Sequence, residues 1–163
     1  MATKSDFTPD EWRLIMASPM LAGMAVTLAD QSGLFGMLKE GFAGANALLA
    51  ARKDDAANAI VKAIVADFDT SEGRAAAREG IRADLTGKTP ADLKQQALEQ
   101  LKQVSGILGA KAPGDAPAFR AWLKSVAVHA AEASSEGGFL GFGGVRVSDA
   151  EKATLAELDA ALA

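Results

Sequence analysis

The chain has 163 residues, 49% of them hydrophobic and 23% charged, which suits a single domain spanning 1–163 with a core of its own. It contains no cysteine, so disulfides, thiolate metal ligands and a cysteine nucleophile are excluded. A net charge of −4, with no run of lysines and arginines, argues against general nucleic-acid binding, which needs a concentrated basic surface.

Thr8-Pro9-Asp10-Glu11 predicts a helix start. Thr8 can cap the free amides, Pro9 has the preset φ of a first helical residue, and Glu11 completes a capping box. Phe7 stands where a hydrophobic staple begins. Pro19 removes a backbone hydrogen bond and disfavours helix at Ser18, so a kink or short break is expected there, with helix resuming from Met20 to about Ala29. The turn Asp30-Gln31-Ser32-Gly33 follows, and Ser32 caps a second arm from about Leu34 to Arg52.

The two arms, Leu14–Ala29 and Leu34–Ala51, carry only three charges between them and their turn: Asp30, Lys39 and Glu40. A helical hairpin that is apolar nearly all round must be buried, in protein or in lipid. Gly36, Gly41 and Gly44, with Ala22, Gly23, Ala25, Ala43 and Ala47, predict close packing of the arms through small residues; a ligand slot is the alternative.

Asp54-Asp55 is expected to open a helix over about Asp55–Asp67, with Ile60, Ile64 and Phe68 facing the core. A segment of alanine and charge, about Glu72–Leu85, reads as a solvated outer helix. Thr89-Pro90 repeats the earlier start and opens Ala91–Leu108, whose apolar face is Leu93, Ala97, Leu101, Val104 and Leu108, with Gly109 as its stop. Asp115 is expected to cap Pro117–Ser134, which buries Phe119, Trp122, Leu123, Val126 and Ala130. Ser148-Asp149-Ala150-Glu151 is a second capping box, starting a last helix to about Leu162. No strand is indicated. The fold expected is a single compact all-α bundle of six to seven helices around the apolar N-terminal hairpin.

His129, the only histidine, is followed by Glu132 and Glu136 at one and two turns, so an imidazole–carboxylate pair could form on one helix face. A di-iron bundle needs two Glu-x-x-His motifs, whereas here the order is His-x-x-Glu and occurs once. A candidate polar pocket would gather Asp30, Lys39, Glu40 and His129, the charges nearest the hairpin and the one imidazole. The glycine-rich run at 136–144 lacks a P-loop ending and a preceding strand. Its Phe139, Leu140 and Phe142 are expected to plug the bundle end; alternatively they form an exposed interaction loop. No metal or cofactor motif is present.

Ala29–Glu40 and Glu136–Gly144 resemble segments of small helical bacterial proteins. The resemblance implies an all-helical fold and attaches no activity and no functional residue.

The acidic start at Met1–Arg13 and the interruption at Ser18-Pro19 disfavour a secretory signal or a membrane span, so a cytoplasmic location is expected. The function expected is that of a non-enzymatic helical protein acting through protein–protein contact, with a homo-oligomer or another protein as partner. A carrier of an apolar ligand or a membrane-surface protein is the alternative. An enzyme would require His129, Asp30 and Glu40 to converge.

Overall fold

A computed structural model of the chain describes residues 2–29, 48, 50–52, 57–81, 88–135 and 147–163. Among these residues the protein is all-α: a short 3₁₀ turn at Lys4–Asp6, then helices α1 (Pro9–Thr27), α2 (Ala59–Phe68), α3 (Ser71–Ile81), α4 (Pro90–Lys111), α5 (Ala116–Ser135) and α6 (Asp149–Leu162).

The start of α1 is fixed by local chemistry. The Glu11 amide donates to the Thr8 hydroxyl at 3.3 Å, and the Glu11 carboxylate accepts from the Thr8 amide at 2.7 Å. The Phe7 and Trp12 rings stack at 5.9 Å, the staple that pins the chain's entry angle. From Ile15 to Leu28 the helix is buried on almost every side, with Ile15, Met16, Ala17 and Ala22 fully inaccessible. It packs against α3, α4, α5 and α6, so the bundle is built around it.

The expected interruption at Pro19 does not occur: α1 continues through it. Proline removes the amide that would donate to the carbonyl four residues back, Ile15. The hydroxyl of the preceding residue takes that place, since Ser18 Oγ donates to the Ile15 oxygen at 2.7 Å. Pro19 itself is buried, so its ring adds core packing at the same point. Most of the second hairpin arm lies outside the described residues. Leu48 packs half-buried on the core and Ala51 is buried.

The α2 start is later than expected. Asn58 caps it, its Oδ1 accepting from the Ile60 amide at 2.8 Å; positions 53–56 are outside the described residues. Ile60, Val61 and Ile64 are buried, as the periodicity predicts. The following α3 departs from the solvated outer helix expected of an alanine-and-charge segment. Its Gly73 and Ala77 are buried, and α1 lies against it. Small residues let two helix backbones approach closely, while the charged residues Glu72, Arg74, Arg78 and Glu79 are exposed.

In α4, Thr89 and Asp92 form a full capping box, with Asp92 doing what glutamate usually does. Ala97, Leu101, Val104 and Leu108 are buried, while Leu93 is half-buried at the end of the stripe. Gly109 does not end this helix. It lies under the Arg120 side chain of α5, whose guanidinium donates to the Ser105 carbonyl at 3.2 Å. The helix stops instead at Ala112, which leaves the helical region with φ −138° and ψ 51°. Pro113 follows it, and the residue before a proline is disfavoured in helix.

Phe119, Leu123, Val126 and Ala130 of α5 are buried, and Trp122 is half-buried against Phe119 at 5.6 Å. The Ser148–Glu151 box opens α6, which buries Leu158 and Leu162. Ser105 Oγ of α4 donates to the Leu162 carbonyl at 3.0 Å, tying the end of α6 to α4. Asp115, just before α5, joins three parts of the chain: it accepts from the Ala2 amide at 2.7 Å and from the Asn58 side chain at 3.3 Å. Among the described residues no helix is long and apolar enough to cross a membrane.

Candidate functional site

Of the polar pocket expected from the sequence, the described residues include only His129. Asp30, Lys39 and Glu40 lie outside them, as do Glu136 and the loop residues Phe139, Leu140 and Phe142. His129 is exposed on α5. Its Nδ1 sits 2.6 Å from the Ser125 carbonyl oxygen, which can only accept, so Nδ1 carries a proton. Among the described residues, no group of three or more histidines, aspartates and glutamates is placed to hold a metal ion.

A different site emerges from the fold. A cleft of about 940 Å³ opens between the N-terminal segment, the start of α1 and the α2–α3 corner. Its volume lies in the range of small-ligand pockets. Phe7 and Trp12 form its floor, and both are buried, Trp12 to 4% exposure. Gly73 and Ala76 of α3 form one wall. Lys4, Arg13, Asp67 and Glu72 stand around the rim.

The polar centre of the cleft is Asp67. Trp12 Nε1–H donates to its Oδ2 at 2.7 Å, and Lys4 Nζ donates to the same oxygen at 2.6 Å. The Lys4 ammonium also lies 6.0 Å from the Trp12 ring centroid, within cation–π range. The indole bond answers the one polar atom of an otherwise apolar, buried side chain. Asp67 is in the last turn of α2, where the helix dipole is negative and no basic residue of α2 is present. Its carboxylate therefore draws donors from elsewhere in the chain.

Beyond Arg13 runs a second, smaller depression of about 410 Å³, lined by Leu14 and Ile107 with Asp10, Glu79 and Gln103. Arg13 borders both and forms ion pairs with Asp10 and, at 3.3 Å, with Glu79 of α3. The two depressions therefore meet at its side chain.

The described carboxylates with displaced pKa values are Asp6, Glu11, Glu72 and Asp92, and all four are lowered. A lowered pKa is the opposite of what a general acid at neutral pH requires. Each of the four stands in the first turn of a helix. For Glu11 the largest cause is the hydrogen bond from Lys111, at 2.5 Å, followed by that from the Thr8 amide. For Asp92 it is the Thr89 hydroxyl, then the Thr89 amide. Since folding lowers these pKa values, their stabilisation is complete above the ordinary carboxylate range, about 4.5 for Glu11, and is lost as pH falls through the lower folded value. Lys111→Met should raise the Glu11 pKa toward its ordinary value and reduce the share of acid destabilisation that Glu11 carries. Carboxyl chemical shifts followed through an acid titration check this, and an unchanged Glu11 midpoint would contradict it.

The sequence pattern puts Phe7 at the first helix start and Asp67 at the end of the helix expected over about Asp55–Asp67, but nothing in it brings them together. Asp67 lies 55 residues from Trp12 and 63 from Lys4, and no local pattern signals such a meeting. The chain matches no protein-family model, no curated protein and no solved structure.

Proposed function

We propose that the protein is a non-catalytic helical module that works by protein–protein contact, through the cleft floored by Phe7 and Trp12. The observation that carries this reading is the cleft's composition: an aromatic floor, a wall of small residues and a rim of charge. Protein interfaces concentrate their binding energy in such places, with tryptophan and arginine prominent among the anchors. Elsewhere the described surface offers few apolar anchors. Among the described residues, Val128 is the one large hydrophobic that is exposed.

The test is site-specific photocrosslinking in the cell that makes the protein. A benzophenone side chain replaces Ala76, in the cleft wall, or Glu99, an exposed residue of α4 outside it. A discrete adduct from position 76 and none from position 99 is expected, and mass spectrometry then distinguishes a second copy from a different protein. Equal smears from both positions, or no adduct from either, would overturn the reading. A native mass spectrum showing co-purified lipid in place of any protein adduct would favour the carrier of an apolar ligand.

A further inference from the structure

We propose that the Trp12–Asp67 corner of the cleft is a lysine-binding site, which Lys4 of the same chain occupies and a lysine of a partner protein takes over by displacement. The proposal rests on the protein-contact reading above and names the chemistry of the partner.

Three observations support it. The first is the pairing of an aromatic face with a carboxylate. An ammonium group is bound best where a π face and an anion both reach it, and the Lys4 ammonium meets both here, 2.6 Å from the Asp67 carboxylate and 6.0 Å from the Trp12 ring centroid. The second is unused acceptor capacity. Both the Trp12 and the Lys4 bonds fall on Oδ2 of Asp67, and among the described residues Oδ1 has no hydrogen-bond partner. The Asp67 side chain is 20% exposed, so that oxygen belongs to a group solvent can reach. The third is the nature of the present occupant. Lys4 is 59% exposed and is carried on a three-residue 3₁₀ turn, so its ammonium fills the site without being locked in it.

Exposed ion pairs of this kind contribute little to stability, because water and side-chain entropy oppose them. Lys4 is therefore a weak tethered ligand, suited to displacement. The charge argument gives the same sign of ligand. The carboxylate stands at the negative end of α2, which itself supplies no cation in its last turn, so the corner favours a positive group over a neutral or negative one.

The experiment uses the full chain and n-butylammonium as the probe, with n-butanol as its neutral counterpart. The reporter is the indole N–H resonance of Trp12, which is distinguished from Trp122 by a Trp122→Phe variant. Lys4→Ala should bind n-butylammonium about two- to fivefold more tightly than the unmodified chain, the factor expected when a weak internal competitor is removed. Adding Asp67→Asn to Lys4→Ala should abolish the response, while keeping an oxygen that can accept from the indole. Equal affinity with and without Lys4 would overturn the proposal. So would a matching response to n-butanol, or retained binding after Asp67→Asn. None of these outcomes bears on whether position 76 crosslinks to a protein, so failure here is distinguishable from failure of the protein-contact reading.

Discussion

Leu21→Ala should be among the most damaging single substitutions in the chain, costing about 2–5 kcal/mol, because it truncates a side chain at the middle of the central helix. Leu21 is 1% exposed, and α1 touches α3, α4, α5 and α6. A cavity there cannot be closed by moving one neighbour, since each neighbouring helix is also held by contacts elsewhere in the bundle. For a chain of this length, the lower end of that range already corresponds to a fall of about 4–8 °C in Tm. Leu155→Ala on α6 is the control, because Leu155 is only half-buried and packs at the margin of the core. Urea unfolding followed by helical circular dichroism should show a clearly larger loss for Leu21→Ala. Equal losses would mean that α1 is not the centre of the fold.

The features legible in the sequence are those whose partners are close in sequence. The boxes at Thr8–Glu11 and Ser148–Glu151 each lie within four residues, and both form. The burial of α1 is legible for a similar reason, since no charge interrupts Leu14 to Ala29. Pro19 and Gly109 mislead because their usual meanings assume a regular backbone environment. A neighbouring hydroxyl supplies the donor that Pro19 lacks, and Gly109 answers to Arg120 on another helix. The burial of α3 escapes a reading by hydrophobic pattern, because alanine and glycine give a weak signal even when they permit the closest packing. The Lys4–Trp12–Asp67 corner depends on helix placement alone, so no short motif reports it.

Gly73→Ala should cost about 1–3 kcal/mol, although alanine is ordinarily the better helix former. A Cβ at position 73 would stand 2.0 Å from the Asp67 carbonyl oxygen and 2.5 Å from its carbon, which are backbone atoms and cannot rotate away. That oxygen already accepts from the Thr70 amide at 2.9 Å and the Thr70 hydroxyl at 2.7 Å, so the α2–α3 corner is tightly tied where the methyl would enter. Relief requires α2 to move away from α3, which carries the Asp67 carboxylate away from Trp12. The substitution should therefore shift the Trp12 indole N–H resonance as well as lower stability, joining the fold of the corner to the site it holds. Gly106→Ala is the opposite case. Gly106 is exposed within α4, and a Cβ there meets nothing within 4 Å, so the ordinary helix preference should prevail and stabilise the protein by about 0.5–1 kcal/mol. The two glycines thus differ in sign for one physical reason, the presence or absence of backbone in the space a methyl group would fill. If Gly73→Ala were as stable as the unmodified chain and left the indole resonance in place, the close approach of α2 and α3 would be disproved.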